Sequence, residues 1–509
     1  MPTLPTYSYA INDKAIAAGY QTLRGSRSII PGNPVEIGSR RQLLMDRHVV
    51  DDVNGTFRTV HQPVKHPDNP VITGDPEGDV DGPHSFGTVL READTGKFRM
   101  WAGTTDREIL ERGGKKAIGS QPGVYYESDD GIEWRRPELG LFEHWGGKDN
   151  NVFCDHLMEC VVALPEHMSD KGRYALMYQP IVDQEQLPPD QNHMRKNFAF
   201  SDDGIHFTDI DENPVLRGRS DTNNCIVYNP ERDLFMHYRR STVNAGEIRR
   251  IAYTESEDLI SWTQPVTIIA RDEIDPLYLY GMPVSRYNHM YLGYLFCLWS
   301  SAREDEFVGN GKDYKIDTQL AWSRDGISWD RHPQRPTFIP NSPPRGGALD
   351  WGMAQGMASA IEVGDEVYVY YGGRPYLHSP GVARDKNDRP RSIMLATLER
   401  DRFVSIDATD DGGYMLTKPL AYPGGKLHIN ARTTSPDGFI RVAAREAHGV
   451  RDGEWVADFR FEKSQPFSGD SLGAVLTWEG HDTLSAFPST MLRLQFWMES
   501  AELYSFWFE

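Results

Sequence analysis

Through most of this chain apolar and polar residues alternate with a period of two, in short runs broken by Gly, Asn and Asp. That period marks strands with one buried face rather than amphipathic helices. Four of the runs end in one phrase: Ser128-Asp-Asp-Gly-Ile-Glu-Trp134, Ser201-Asp-Asp-Gly-Ile-His-Phe207, Ser256-Glu-Asp-Leu-Ile-Ser-Trp262 and Ser323-Arg-Asp-Gly-Ile-Ser-Trp329. Asp-Gly supplies the positive φ of a tight hairpin, and Ser and Asp side chains can bond backbone inside such a turn. The closing aromatic caps the returning strand, so each of the four should be buried between repeats rather than line a channel. The copies start some 55 to 73 residues apart, a spacing that signals repeated β units.

Each phrase is preceded by an earlier strand pair, such as 85–90 with 98–102, 223–228 with 234–238, and 280–284 with 290–296. The second repeat reads 150–153 followed by 174–178. A fifth unit, 357–361 with 366–371, ends in a degenerate hairpin from 393–397 to 402–404. Five units of about four strands fit the blades of a propeller. After residue 412 short alternating strands with polar turns predict a β-sandwich. The expected architecture is all-β, a five-bladed β-propeller followed by a C-terminal β-sandwich. Its divisions are an N-terminal extension at 1–40, with a short helix at 13–20, the catalytic propeller at 41–412, and the sandwich at 413–509.

The 509 residues carry a formal net charge of −20, which disfavours nucleic acid and anionic membrane surfaces as partners. Cys154, Cys160, Cys225 and Cys297 are too few and too scattered for a disulfide framework, and they lack the paired spacing of a zinc site. Neither a metal nor a cofactor is expected. The first residues show no basic and apolar leader and no run of transmembrane length, so the expected compartment is the cytoplasm, or the exterior if a leader has been trimmed. Self-association into a homo-oligomer stays open.

In a propeller the innermost strands converge on an axial pocket, so the residues that open them are the candidates for chemistry. Those openings read Asp79-Val-Asp81-Gly-Pro-His84, Asp149-Asn-Asn151, Asp221-Thr-Asn-Asn224, Asp275-Pro-Leu-Tyr-Leu-Tyr280 and Asp350-Trp-Gly352. One Asp before a strand is commonly a turn former. Five, accompanied by His84, Asn150, Asn151, Asn224, Tyr280 and Trp351, suit a sugar funnel, because carboxylates and amides match hydroxyls and aromatics stack on the ring. Arg374 and His378 follow the second strand of the fifth unit and reach either the pocket rim or the acidic surface. Asp81, exposed on a turn by Gly82 and Pro83, is assigned nucleophile or base. Glycoside cleavage needs such a group and a second, protonated carboxyl.

This arrangement resembles the five-bladed glycoside hydrolases of families 32, 43 and 68, and more closely the bacterial proteins with a family 32 N-terminal-like domain. The likeness runs over about 40–509 and is carried by Leu43-Leu-Met-Asp46, His61-Gln-Pro63, Phe98-Arg-Met-Trp101, the Asp221-Thr-Asn-Asn block and Leu503-Tyr-Ser-Phe506. The Trp-Met-Asn-Asp-Pro-Asn-Gly signature of true fructosidases is absent. By resemblance Asp221 stands nearest the transition-state-stabilising Asp. Met158-Glu-Cys160 likewise resembles the Glu-Cys that supplies the acid, which would make Glu159 the general acid; the alternative is a Glu on an exposed strand. Asp46 is a rival carboxylate read as structural. The resemblance implies hydrolysis, or transfer, of a furanoside such as a fructofuranoside or arabinofuranoside, with an oligosaccharide or glycoside as substrate. A phosphorylase-like propeller and a non-catalytic carbohydrate-binding propeller remain as alternatives.

Overall fold

The computed structural model describes residues 34–74, 82–106, 121–180, 195–216, 220, 222–241, 249–276, 278–300, 314–344, 347–378, 391–448 and 451–509. The expected helix at 13–20 lies outside them, as do Asp79, Asp81 and Asp221. The described residues are all-β, interrupted by 3-10 turns at Glu166–Met168, Ala457–Phe459 and Phe461–Lys463. No helix among them is long and apolar enough to cross a membrane. They form two compact units, one from 63–361 and 368–397 and the other from 34–62, 362–367 and 398–509.

The first unit holds the repeats. His84–Arg91, Phe98–Gly103, Gly123–Ser128 and Trp134–Arg135 pair in order, and Val152–Cys154 adds to Gly123–Ser128. Leu157–Ala163, Tyr174–Gln179, Asn197–Ser201 and Thr208–Asp209 make a second sheet, and Cys225–Asn229, Leu234–Arg240, Ile251–Ser256 and Val266–Ile269 a third. The remaining strands form one twelve-stranded sheet whose halves, built on Met290–Ser300 and on Glu366–Arg374, join through the parallel pair Ile316 and Met353.

Two expectations are corrected here. The second sheet opens with Leu157–Ala163 rather than with 150–153, because a turn at Asp155 and His156 reverses the chain after Val152–Cys154 has paired with the first sheet. The hairpin from 393–397 to 402–404 does not form. Ser392–Glu399 pairs instead with Val64–Lys65 and Ile72–Thr73, so residues ahead of the first repeat complete the last sheet of the unit.

The recurring phrase proves to be a clasp between consecutive sheets. Within each turn Ser and Asp bond backbone as their chemistry suggests: Ser128 Oγ accepts from Gly131 N at 2.8 Å, and Asp130 Oδ1 from Ile132 N and Glu133 N at 2.8 and 2.9 Å. The turn carbonyl then accepts from another sheet, and at two copies from the closing indole as well, Trp134 Nε1 donating to Gly131 O at 3.1 Å and Trp329 Nε1 to Gly326 O at 3.0 Å. Tyr370 Oη donates to Gly131 O at 2.6 Å, Trp101 Nε1 to Gly204 O at 2.7 Å and Tyr238 Oη to Gly326 O at 2.9 Å. At the third copy Lys171 Nζ donates to Asp258 O at 3.3 Å. The closing aromatics wedge into the same seams: Trp134 stands edge-on to Tyr370 at 5.8 Å, Trp262 stacks on Phe198 at 6.0 Å and Trp329 meets Tyr238 at 5.7 Å. They and Phe207 are half-buried rather than fully buried, because each stands at the outer edge of its sheet.

The first strands of the repeats also touch in succession. Val161 N donates to Thr88 Oγ1 at 3.2 Å, Asn224 reaches Glu159 at 2.9 Å, and Cys225 Sγ meets Val284 at 3.4 Å. Between the fourth and fifth repeats the contact comes instead from the second strand, where Tyr294 Oη donates to Ser359 O at 2.5 Å, and Ala358 forms a parallel bridge back to Thr88.

In the second unit a seven-stranded sheet and a six-stranded sheet share one hydrophobic core. Met415, Val442, Leu494 and Phe496 come from the first and Ile406, Ile429, Leu503 and Phe506 from the second. Val50–Asn54 and Thr56–Val60 enter these sheets by pairing with Gly413–Thr417 and Val404–Ala408.

Gly131 sits at φ +80°, and a Cβ there would lie 2.6 Å from Tyr370 Oη. Gly131→Ala should therefore cost about 2–3 kcal/mol, combining left-handed strain with the lost clasp. Gly140→Ala, at φ +70° with open space around it, should cost only about 1–2 kcal/mol. Equal urea midpoints for the two variants would contradict the clasp.

Burial would raise the carboxyls of Asp130, Asp203 and Asp258, but backbone N–H donors and the turn Ser, with the His206 side chain at Asp203, hold all three below their ordinary range. A depressed folded-state value means stability that is present above the unfolded carboxylate pKa of about 4 and lost as pH falls through the folded values. The melting temperature should drop on acidification below about pH 4, and drop less steeply in Asp203→Asn.

Candidate active site

Glu159 lies where the pairing of Leu157–Ala163 slips. Met158 faces Tyr178 and Cys160 faces Met177, the adjacent partner, so Glu159 is the extra residue of a bulge. The slip sends Met158 and Val161 to one hydrophobic cluster and Cys160 and Val162 to another, leaving Glu159 aimed at neither. Bulges commonly re-aim a side chain in this way. The expected alternative, a Glu on an exposed strand, is not what the fold provides: Glu159 is 3% exposed.

Its carboxylate is fully engaged. Lys196 Nζ contacts Oε1, and Asn224 Nδ2 donates to Oε2 at 2.9 Å. Lys196, itself wholly buried, also donates to Gln179 Oε1 at 3.2 Å. Asn224 Oδ1 accepts from Ser220 Oγ at 2.8 Å and His237 Nε2 at 3.1 Å. Donation from Nε2 places a proton on that nitrogen, while burial, Arg239 and Lys196 all push the His237 pKa down and favour the neutral ring. Burial raises the Glu159 carboxyl above its usual value although Lys196 and Asn224 pull the other way. Burial also pushes Arg239 down to about 10, against the pull of Glu159.

The other expected residues scatter around this cluster. Asn224 is brought to Glu159; Asn150 and Asn151 are not. Asn150 donates to Phe142 O and Gly147 O, both at 2.9 Å, while Asn151 donates to Tyr125 O at 2.7 Å and accepts from Arg136 Nε at 2.9 Å. Both amides brace the loop between the first sheet's last two strands. The buried His84 ring fills the space beside Gly103, where a Cβ would come within 2.3 Å of it. Asp350 is ion-paired to Lys65 at 2.6 Å and accepts from Tyr371 Oη at 3.1 Å. Tyr280 Oη bonds His378 Nε2 at 3.0 Å, with the Arg249 guanidinium 4.5 Å above its ring. Lys315 Nζ lies 5.9 Å over Trp351, and Arg374 contributes its carbonyl to Gly352 N at 3.1 Å. Of the rival acids, Asp275 is clamped by Arg331 at 2.7 and 2.6 Å, and Asp46 caps His48 N at 2.9 Å.

Sequence reasoning missed Lys196, His237 and Arg239, since Lys and Arg in an alternating pattern read as solvent-facing. It also missed His144, which bridges Asp106 and Asp155. No group of three His, Cys, Asp or Glu side chains suited to a metal occurs among the described residues. The four cysteines are free and buried, with the thiols of Cys154 and Cys225 pushed up to about 12.

No family model matches this chain, and no curated protein does. It is similar to several solved glycoside hydrolases. A GH32 beta-fructofuranosidase of Bombyx mori is 13% identical, aligning over 87% of this chain and 95% of that one with a TM-score of 0.41. A glycosyl hydrolase from Bacteroides ovatus is 14% identical over 67% of this chain and 95% of that one, with a TM-score of 0.40. A beta-1,2-mannobiose phosphorylase from Listeria innocua is 12% identical over 67% and 97% of the two chains, with a TM-score of 0.42.

Breaking a buried ion pair strands a charge, so Lys196→Met should cost about 3–5 kcal/mol. Lys196→Met combined with Glu159→Gln should recover most of that loss in urea denaturation. Failure of the second change to rescue the first would show that Lys196 packs rather than pairs.

Proposed function

We propose that the first unit is a five-bladed propeller, the second a β-sandwich extended by strands from residues 34–62, and the protein a glycoside hydrolase acting on a furanoside. Contacts that run from each repeat to the next and back to the first, and completion of the last sheet by residues 64–73, support the ring. In such a ring Glu159 faces the axis. The observation that carries the functional reading is this carboxyl, held on a bulge, raised by burial and fixed through both oxygens.

In the reading, Glu159 is ion-paired in the free protein, takes up a proton as substrate binds, and donates it to the glycosidic oxygen as the bond from that oxygen to the anomeric carbon breaks. Lys196 and Asn224 then stabilise the carboxylate left behind. Asp81, next to Gly82 in the chain, acts as nucleophile or as base for water. Asp221, three residues before Asn224, holds sugar hydroxyls as oxocarbenium character grows. Arg249 and His378, meeting at Tyr280, give a specific reason to keep a phosphorylase in view, since anion capture needs such basic groups.

The test is turnover of sucrose, a fructo-oligosaccharide and 4-nitrophenyl α-L-arabinofuranoside, with and without inorganic phosphate. Hydrolysis independent of phosphate is expected; strict phosphate dependence would favour the phosphorylase. Glu159→Gln and Asp81→Asn should each lower kcat by about a hundredfold or more; Glu159→Gln, which strands the buried Lys196 charge, should also lower the melting temperature, so its kcat is read per folded enzyme. Near-normal kcat in both would overturn the assignment.

A further inference from the structure

Outside the Glu159 cluster the first unit contains a second buried polar device that the mechanism does not use. His144 Nδ1 lies 2.9 Å from Asp106 Oδ2, and its Nε2 lies 2.9 Å from Asp155 Oδ1. The Asp106 side chain is 0% exposed and that of His144 1%, whereas that of Asp155 is 40% exposed. Burial alone would lower the imidazole pKa, but the two carboxylates outweigh it and hold the ring above its usual value. The imidazolium donates through both nitrogens, so the ring is clamped at each end.

The surroundings show that this clamp is built and not incidental. His144 sits on a tight turn, with His144 N to Gly147 O at 3.0 Å and Gly147 N to His144 O at 3.1 Å. That turn is held by Asn150, whose amide donates to Phe142 O and Gly147 O. Asp155 lies in the turn that leads into Leu157–Ala163, four residues ahead of Glu159. At the other end, Asp106 follows Thr104, which donates to Gly82 O at 3.0 Å beside Asp81. The device therefore runs from the segment that holds Gly82 to the strand that carries Glu159.

Burying Asp106 and His144 is costly, and a purely structural tie would have no use for an outer carboxylate left open to solvent. Asp155 Oδ1 is fixed, while its second oxygen accepts no hydrogen bond from the described residues. An oriented carboxylate with free lone pairs recognises hydroxyl donors. Two carboxylates and one imidazolium leave the group net negative, which would repel a uronate or a sugar phosphate at this point.

We infer that Asp155 is a substrate-binding residue that accepts hydrogen bonds from the hydroxyls of an uncharged sugar, and that His144, clamped by Asp106, is its positioning residue. The inference rests on the glycosidase reading above. Its test uses the full chain and whichever furanoside of the panel the wild type turns over fastest. A hydrogen bond to a charged acceptor corresponds to about a ten- to hundredfold effect, so Asp155→Asn should raise KM by at least about tenfold, with the loss falling on KM rather than kcat. His144→Gln should raise KM less, and the double variant should be no worse than Asp155→Asn alone, because the two act as one unit. A merely structural role would instead lower the melting temperature and the active fraction, leaving KM where it was. A wild-type KM in Asp155→Asn, on a substrate the wild type does cleave, overturns this inference alone. A wild type inert on the whole panel overturns the glycosidase reading and this one with it.

Discussion

The repeats depend on one interaction, a turn carbonyl offered to an aromatic or basic donor of the adjoining sheet. A repeated unit of this kind cannot bury its hydrophobic faces alone, so each must be fixed to its neighbour. Hydrophobic seams supply most of the attraction but little direction. The clasp adds direction, because Tyr370, Trp101 and Tyr238 each reach one oxygen at hydrogen-bond distance. It works only because Ser and Asp have already satisfied the turn's own N–H groups. The third copy shows the tolerance of the device: Leu259 takes the glycine's place at φ +67°, and its buried side chain packs into the neighbouring hydrophobic cluster, offsetting the strain.

Once the sheets are held in order, burial decides the chemistry of what lies between them. Glu159 and Lys196 are enclosed to a degree rarely tolerated for charged side chains, and the bulge makes that enclosure possible by taking Glu159 out of the strand's alternation. The same enclosure leaves His237 Nδ1 buried and without a partner among the described residues. Polar groups kept under such tension are common where a site must hold its geometry before substrate arrives.

The fold was legible where local chemistry decides it. Period-two alternation, the Ser-x-Asp turn and the closing aromatic identified strands and hairpins because each is specified within about seven residues. Strand partnership was not legible. Asn150–Phe153 alternates as convincingly as Leu157–Ala163, and only the turn at Asp155 and the slip at Glu159 settle which one opens the second sheet. The candidate site was half legible: Glu159 and Asn224, which the fold brings together, were both expected, the first through a dipeptide likeness and the second through its place before a strand. Asn150 and Asn151 occupied the same kind of place yet serve the backbone, since an amide's role depends on which carbonyls the fold brings near. Lys196, Arg239 and His144 were invisible, because nothing in their local sequence distinguishes a buried cation from a solvated one.

The pairing of Ala396 with Lys65 and of Ile393 with Ile72 sets the order in which this protein can be made. A ribosome delivers residues 64–73 long before their partners exist, so the early strands wait unpaired while every intervening repeat is synthesised. Contacts of such wide sequence separation slow folding and leave sheet edges open to neighbouring nascent chains. The first repeats can assemble as they emerge, yet their unit remains open-ended until the segment around residue 396 has left the tunnel. Truncation ahead of that point would remove more than a terminal strand, since residues 64–73 would then have nothing to close.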